Sequence, residues 1–343
     1  MNGDFDEMNE DEIYMHRCIQ LARNGRQNAQ PNPMVGAVIV HGGRIIGEGY
    51  HVRCGEGHAE VNAFASVKPE DEKYLPEATI YVSLEPCSHY GKTPPCADLI
   101  IRKGVKRVVV GCMDPFAKVH GRGVQKLRDA GIEVKVGVCE SECRELNKVF
   151  MTFHRLQRPY ITLKWAQTAD GFIGKTDAEG KQHPMAISDE FSKLHSHKLR
   201  AENQAILVGR HTLDSDHPSL TTRHWYGPNP KRIVLTHRKD ELGGFEGCTD
   251  NGEILVLDGN IGEVVRELHE RGIQSLLVEG GACVHQQFID AGLWDEAYVE
   301  QGLMNIGNGT KAPLLPTDES IRVAPKEVFG RTIMHYTNLT HVQ

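Results

Sequence analysis

Residues 85–96 read EPCSHYGKTPPC, and residues 57–60 upstream of them read GHAE. Together the two stretches supply one imidazole, His58, and two thiols, Cys87 and Cys96, and these ligand types suit zinc. Three protein ligands leave the fourth position of a tetrahedral site to water, which is typical of a catalytic rather than a structural site. Glu60 follows the histidine by two residues, where it can carry protons without binding the metal. We therefore expect a catalytic zinc centre.

The order of these residues is similar to that of zinc deaminases, in which H-x-E is followed by P-C-x-x-C. The chain departs from this pattern because eight residues, not two, separate its cysteines. The intervening loop carries His89, Lys92 and Thr93, and we interpret it as a loop that binds phosphate or a polar ring. In this interpretation activated water attacks a ring carbon that carries an amine. Glu60 would move the water proton to the ring nitrogen and then to the departing ammonia.

A structural zinc site is the alternative. It would need a fourth protein ligand, which Cys54 or His51 could supply because both lie close to His58 in sequence. This alternative leaves Glu60 without a role. The other cysteines are interpreted as packed or solvated thiols: Cys18, Cys112, Cys139, Cys143, Cys248 and Cys283.

Length and composition limit the possible functions. A chain of 343 residues predicts two domains. The net charge of −7 disfavours general nucleic-acid binding, which needs a basic face, but it allows a local basic pocket. Nine scattered cysteines indicate a reducing, cytoplasmic compartment. The polar, acidic N-terminus lacks a secretory pattern and no apolar run is long enough to cross a membrane, so we expect no membrane partner.

Helical and strand-like segments alternate along the whole chain, which predicts α/β domains with sheets covered by helices. In the first half the predicted strands are 35–40, 44–49, 79–84, 105–111 and 133–137, and the predicted helices are 13–23, 58–67, 96–103 and 125–130. One long helix is predicted over 141–157, and the domain boundary is placed around it, between residues 146 and 147. In the second half the predicted strands are 160–166, 205–209, 232–235, 253–257, 275–278 and 296–303, and the predicted helices are 188–200, 261–271 and 282–291.

Two features of the second half indicate phosphate binding. Residues 278–281, VEGG, follow a strand and open a helix, where tandem glycines let backbone N–H groups approach a phosphate. Arg200 and Arg223 could clamp a sugar phosphate through their guanidinium groups. A tight strand-to-helix turn and surface ion pairs are the alternatives. No G-x-G-x-x-G follows a strand, so a Rossmann dinucleotide site is not supported.

Four segments of the first half match a known pattern: PNPMVGA at 31–37, GHAE at 57–60, EPCSHYGKTPPC at 85–96 and GCMDP at 111–115. They resemble the deaminase half of the bifunctional riboflavin-biosynthesis deaminase/reductase family. The resemblance implies a cytidine-deaminase-like α/β/α sandwich with zinc ligands His58, Cys87 and Cys96 and with Glu60 as proton donor. The implied substrate contacts are Asn32, His51, Lys92, Thr93 and Asp114.

The second half carries TLKWA at 162–166, DG at 170–171, RA at 200–201, AILVG at 205–209 and VEGG at 278–281. These segments resemble the reductase half of the same family, which implies a dihydrofolate-reductase-like α/β domain that uses NADPH. The implied cofactor contacts are Ala166, Thr212, Asp216 and Gly281. The implied substrate contacts are Arg200, Leu220, Arg223 and Glu279.

The resemblance covers nearly the whole chain and implies a two-step enzyme. Residues 1–146 would form a zinc-dependent deaminase domain that acts on 2,5-diamino-6-ribosylamino-4(3H)-pyrimidinone 5′-phosphate. Residues 147–343 would form an NADPH-dependent reductase domain that converts the ribosyl group to ribityl, giving 5-amino-6-ribitylamino-pyrimidinedione 5′-phosphate. The expected partner is this small phosphorylated pyrimidine, and a homo-oligomer remains open.

Two differences from the family keep another interpretation open. The family often has Asp where this chain has Asn203, and a Ser-x-Trp element where it has Pro184-Met185-Ala186. The alternative is a deaminase whose second domain is catalytically weak or only binds. A deaminase of nucleic-acid bases is a further alternative.

Overall fold

The computed structural model describes residues 9–90, 94–116, 120–177, 179, 182–183, 185–237 and 254–341. The chain divides into two compact units, Met1–Leu156 and Gln157–Gln343. This division falls later than the predicted boundary between residues 146 and 147. The reason lies in the helix before it, because Met151 is buried in the core of the first unit.

The first unit is built on a five-stranded sheet with strand order β2-β1-β3-β4-β5. Its strands are β1 (Gly36–His41), β2 (Arg44–Tyr50), β3 (Thr79–Leu84), β4 (Arg107–Cys112) and β5 (Glu133–Val136). β1 and β2 form the predicted hairpin, and β1 also pairs antiparallel with β3. β3, β4 and β5 pair in parallel.

Helices cover both faces of this sheet, which confirms the predicted α/β/α class. They are α1 (Glu10–Ala22), α2 (Ala59–Ala65), α3 (Cys96–Lys103), α4 (Arg122–Asp129), α5 (Glu140–Leu146) and α6 (Lys148–Leu156). Successive side chains of a strand point to opposite faces, so Ile39 packs in the core under α2, α3 and α4. Its neighbour Val38 packs in the core under α1, α5 and α6.

The predicted single helix over 141–157 is wrong, because Asn147 separates α5 from α6. Asn147 is buried, and its side chain satisfies both backbone polar groups of Met34: the Asn147 amide donates to the Met34 carbonyl at 2.9 Å, and the Met34 N–H donates to the Asn147 oxygen at 2.8 Å. Asparagine side chains that bond backbone groups favour breaks in helices.

The second unit contains an eight-stranded sheet with strand order β11-β10-β9-β12-β6-β13-β16-β15. Its strands are β6 (Tyr160–Gln167), β9 (Ala205–Gly209), β10 (Lys231–Leu235), β11 (Ile254–Leu257), β12 (Ser275–Val278), β13 (Glu296–Gln301), β15 (Ile321–Val328) and β16 (Arg331–Asn338). A separate three-stranded sheet joins β7 (Phe172–Thr176), β8 (Gln182–His183) and β14 (Gly309–Lys311). The helices are α7 (Glu190–Glu202), α8 (Arg210–Asp216), α9 (Ile261–Glu270) and α10 (Ala282–Asp290).

The predicted strands and helices of the second unit are all present, with ends shifted by a few residues. Three features were not predicted: α8, the small sheet, and the hairpin of β15 and β16. The hairpin forms the antiparallel end of an otherwise parallel sheet. In the described ranges of the chain, none of the helices has the length and apolar character needed to cross a membrane.

Asp11 anchors α1 to one end of the first sheet. Its carboxylate accepts two hydrogen bonds from Arg107 at 2.7 and 2.9 Å, one from Lys135 at 2.8 Å and one from the Tyr81 hydroxyl at 3.1 Å. The partners lie on β3, β4 and β5. The bond from Arg107 is the main cause that holds the pKa of Asp11 well below its usual range. The charged carboxylate therefore contributes to stability.

We expect Asp11→Asn to lower the free energy of unfolding by about 1–3 kcal/mol at pH 7. A carboxyl whose pKa is lower in the folded than in the unfolded state stabilises above the unfolded pKa, near 4, and this contribution is lost as the pH falls further. The difference between wild type and variant should therefore shrink towards pH 3 in urea unfolding of the full chain. Glu133→Gln is the control, since Glu133 is an exposed partner of Arg107. An equal loss in both variants would contradict this role of Asp11.

Candidate functional site

The structure brings His58, Cys87 and Cys96 together. The His58 Nδ1 atom lies 3.5 Å from Cys87 Sγ and 3.4 Å from Cys96 Sγ. His58 caps the start of α2, Cys96 opens α3, and Cys87 lies in the loop after β3. The possible ligand atoms all lie within 4.8 Å of one another. This donor set of one nitrogen and two sulfurs fits zinc, and it would hold the ion at the N-terminal ends of two helices.

Contact between the two sulfurs favours the thiolate form of Cys87 and the thiol form of Cys96 in the absence of a cation. Hydrogen bonding to the Cys96 thiol is the largest cause that lowers the pKa of Cys87, and contact with His58 lowers it further. The same contact raises the pKa of Cys96. The Cys87 sulfur also accepts the backbone N–H of Cys96 at 3.3 Å. A bound dication would favour the thiolate form of both sulfurs.

Glu60 lies in the first turn of α2 and is 3% exposed. Burial is the main cause that raises the pKa of its carboxyl to about 7, and the nearby Cys87 thiolate adds to the effect. The charge of His58 acts in the opposite direction. A carboxyl that titrates near neutrality can both accept and release a proton during one reaction cycle.

His51 and Asn32 form a linked pair beside the triad. The His51 Nδ1 atom lies 3.1 Å from the Gly57 carbonyl oxygen, and its Nε2 atom lies 3.1 Å from the Asn32 amide nitrogen. These partners assign the proton to Nδ1, so Nε2 accepts from Asn32. Burial lowers the pKa of His51, which favours this neutral form. The His51 and His58 rings lie 5.4 Å apart, edge to face.

The alternative of a structural site with four protein ligands is not supported. Both nitrogens of His51 already have partners, and Cys54 is exposed. Within the described part of the chain, no further His, Cys, Asp or Glu joins the triad. A second group of ligand types lies at the surface of the first unit, but two of its members are exposed. It comprises His16, Cys139 and Glu142.

Asp114 follows β4 and is buried. Burial raises the pKa of its carboxyl to about 6, although it accepts the Phe116 N–H at 2.8 Å. The predicted contacts Lys92 and Thr93 lie outside the described residues. Glu85 had no predicted role, although a carboxylate directly after a buried strand was a signal. Glu85 is buried and accepts four backbone N–H groups of described residues.

The second unit contains a cleft of about 220 Å³ at the ends of β6 and β12. Five predicted residues line it: Ala166, Thr212, Asp216, Glu279 and Gly281. Several lining residues had no assigned role, among them Lys164, His211 and His285. Lys164 could have been found as a charged residue in the mostly apolar strand β6, in which Ile161 and Leu163 are buried in the core.

Gly281 lines this cleft directly before the start of α10. Its φ of +42° lies in the region that disfavours side chains, and a Cβ atom there would lie 3.2 Å from the Thr212 hydroxyl. Gly280 packs more closely still, since its Cβ would lie 2.5 Å from the Cα atom of Val208. Because both residues of the turn are glycines, the backbone N–H groups at the start of α10 are not covered by side chains of the turn. Such a helix N-terminus suits an anionic group.

Arg200 and Glu279 form a partly buried ion pair with two hydrogen bonds. The Arg200 Nε and Nη2 atoms donate to the two Glu279 oxygens at 3.0 and 2.6 Å, and Nη1 donates to the Thr221 carbonyl at 3.1 Å. Burial is the largest single influence on Glu279 and opposes its charge, but the charge and hydrogen bonds of Arg200, together with the charge of Lys164, outweigh burial and lower the pKa of Glu279. A phosphate clamp formed by Arg200 and Arg223 would have to compete with this ion pair.

The other predicted contacts of the second unit lie on the segment after α8. Leu220 is buried in a core with Leu199 and Leu213, with φ +53°. Arg223 is exposed, and its backbone N–H donates to His197 at 2.9 Å. Asn203, which differs from the family pattern, caps α7 by donating to the Leu199 carbonyl at 2.9 Å. Pro184 lies outside the described residues.

We expect Cys96→Ser to lose most of the bound zinc, because a hydroxyl is a much weaker zinc ligand than a thiolate. Zinc per chain, measured by elemental analysis after dialysis, should fall from about one towards zero. The control is Cys54→Ser, which removes an exposed thiol close in sequence. Loss of zinc from the Cys54 variant instead would restore the four-ligand alternative.

Comparison with known proteins covers both units. Residues 8–112 match the cytidine and deoxycytidylate deaminase zinc-binding region, and residues 159–328 match the RibD C-terminal domain. The chain is 39% identical to the riboflavin biosynthesis protein RibD of Aquifex aeolicus, over 93% of this chain and 95% of that protein. It is 38% identical to RibD of Bacillus amyloliquefaciens, over 91% and 89% of the two chains.

Solved structures agree with this result. A diaminohydroxyphosphoribosylaminopyrimidine deaminase/5-amino-6-(5-phosphoribosylamino)uracil reductase from Thermotoga maritima is 34% identical, with a TM-score of 0.83 over 96% of this chain and 98% of that chain. RibD of Acinetobacter baumannii is 29% identical, with a TM-score of 0.81 over 95% and 98%. With a zinc triad in the first unit and a RibD C-terminal domain in the second, the chain belongs to the RibD family of bifunctional deaminase/reductases of riboflavin biosynthesis.

Proposed function

We propose that the first unit deaminates 2,5-diamino-6-ribosylamino-4(3H)-pyrimidinone 5′-phosphate and that the second unit then reduces the ribosyl group with NADPH. The observation that carries the proposal is the buried carboxyl of Glu60 beside the triad of His58, Cys87 and Cys96. The relative from Thermotoga maritima is named for both of these activities. The dispersed cysteines support a reducing, cytoplasmic location.

In the deamination, water adds to the ring carbon that carries the amine, and ammonia leaves. Bound zinc would act as the Lewis acid that activates the water. Glu60 takes a proton from that water, passes it to the ring nitrogen and supports protonation of the departing amine. Asn32 donates its amide N–H to His51, and its amide oxygen would be the group that accepts a hydrogen bond from the pyrimidine. Asp114 is a second buried acceptor for that ring.

In the reduction, the sugar ring is open and its C1 atom, which is the carbon of an imine, accepts the hydride. NADPH supplies the hydride when bound. The turn at Gly281 and the start of α10 would accept an anionic part of the cofactor, with Thr212, Asp216 and Ala166 around it. Glu279, held by Arg200, would orient the sugar hydroxyls. Five of the eight residues predicted for this domain line one cleft, which supports a site that binds cofactor and substrate together.

We expect Glu60→Gln to lower the deaminase kcat at least about 100-fold while zinc content is retained, because an amide neither accepts nor releases a proton near neutral pH. Release of ammonia from the diaminopyrimidine phosphate measures the effect. Reduction of the deaminated product by NADPH on the same preparation should be unchanged. The matched control is Glu56→Gln, since Glu56 is exposed. Full deaminase activity in the Glu60 variant would exclude the proposed chemistry, and turnover of tRNA or DNA bases instead would favour the nucleic-acid alternative.

We expect Gly281→Ala to weaken NADPH binding about tenfold, because the added methyl group strains a positive φ and reaches Thr212. Titration calorimetry with NADPH measures the effect. Gly292→Ala is the matched control, since Gly292 has φ +65° and open space around its Cβ position. Equal affinity in both variants, or no oxidation of NADPH by the wild type with deaminated product, would count against this cofactor site.

A further inference from the structure

Glu85 links the loop that carries the zinc ligand Cys87 to other segments of the first unit. It directly follows β3, its own N–H donates to the Cys112 carbonyl at 2.9 Å, and it is 3% exposed. Two residues later comes the zinc ligand Cys87. The Cys87 carbonyl in turn accepts the N–H of Ala97 in α3 at 3.1 Å. The chain from Glu85 to Cys87 is thus fixed at both ends by backbone hydrogen bonds.

The Glu85 carboxylate accepts four backbone N–H groups. Its Oε1 atom accepts from Gly123 at 2.9 Å and from Val124 at 3.2 Å. Its Oε2 atom accepts from Gly121 at 3.0 Å and from Asp114 at 3.3 Å. Three of the donors lie at the start of α4, where backbone N–H groups have no partner within the helix. A carboxylate there is also favoured by the helix dipole.

The start of α4 packs directly against the ligand loop. A Cβ atom on Gly123 would lie 2.0 Å from the Pro86 carbonyl oxygen, so this approach requires glycine. The fourth donor, Asp114, belongs to the segment after β4 and is a proposed substrate contact. One side chain therefore joins three segments: the loop that carries Cys87, the start of α4 and the segment of Asp114 after β4.

We propose that Glu85 is a positioning residue of the deaminase, which holds Cys87 and Asp114 at the distance that the reaction needs. It acts through backbone groups and touches neither substrate nor metal. The inference rests on the proposed function, since it gives Asp114 a role at the pyrimidine. It predicts that a change at Glu85 alters both the retention of zinc and the binding of substrate, because it frees both segments at once.

The test is Glu85→Gln in the full chain. Glutamine keeps the size of the side chain, but its NH2 group faces two N–H donors and repels them. We expect the deaminase kcat/KM to fall about 10–100-fold, with a higher KM and a lower kcat. Loss of zinc to a chelator should be faster by a similar factor. The reductase rate on the same preparation is the internal control and should not change.

Asp11→Asn separates positioning from a merely structural role. Asp11 is also a carboxylate of the first unit with four hydrogen bonds, but its partners lie at the other end of the strands. Both variants should be less stable to urea, and only Glu85→Gln should change KM, kcat and zinc retention. If the Glu85 variant loses stability but keeps the wild-type KM, kcat and zinc retention, the proposal is wrong.

Gly121→Ala is a milder second variant in case Glu85→Gln does not accumulate in folded form. Gly121 has φ +75°, so alanine strains the loop without meeting a backbone atom within 4 Å. A rise of a few-fold in the deaminase KM supports the proposal, and an unchanged KM contradicts it. Glu60→Gln in the same assay tells the two hypotheses apart. If Glu60→Gln loses deaminase activity while Glu85→Gln keeps it, the proposed function is supported and only the role of Glu85 is excluded.

Discussion

Parallel pairing of β3 with β4 is the constraint on which the first active site depends. Leu84 at the end of β3 lies opposite Cys112 at the end of β4, so the residues after both strands emerge at one edge of the sheet. Cys87 comes from the first of these segments and Asp114 from the second. The helices α2 and α3 begin at the same edge, where their N-terminal ends bring His58, Glu60 and Cys96. Loops alone would not hold five polar groups from distant parts of the chain so closely.

The second unit uses the same arrangement with other chemistry. β6, β9 and β12 run parallel, and the cleft lies where they end. Ala166 lies near the end of β6, Thr212 and Asp216 lie in the helix after β9, and Glu279 and Gly281 follow β12. Both sites therefore follow the general rule that ligands of open α/β sheets bind beyond the carboxyl ends of the strands. The first unit places thiols and carboxyls there, whereas the second places glycines and an ion pair.

Much of this could be predicted from the sequence, because the determining signals are local. Buried strands appear as short apolar runs, and the zinc ligands carry chemistry that few residue types share. Long-range contacts were not predictable. Asn147 breaks a helix because its side chain bonds Met34, which lies far away in sequence. The ion pair of Arg200 with Glu279 was not predicted, because it joins residues 79 positions apart and leaves no local trace. β15 was missed because most of its residues are exposed and show no alternation of burial.

That same exposed strand has a consequence for the behaviour of the protein at high concentration. β15 is the outer strand of the large sheet, and open edges can template the addition of strands from other molecules. Pro325 removes one hydrogen-bond donor from this edge, and Arg322, Lys326 and Glu327 add charges of both signs. A further strand would meet an incomplete row of donors and would bury charged groups. The polar composition that concealed β15 in the sequence thus protects the reductase unit from edge-to-edge aggregation.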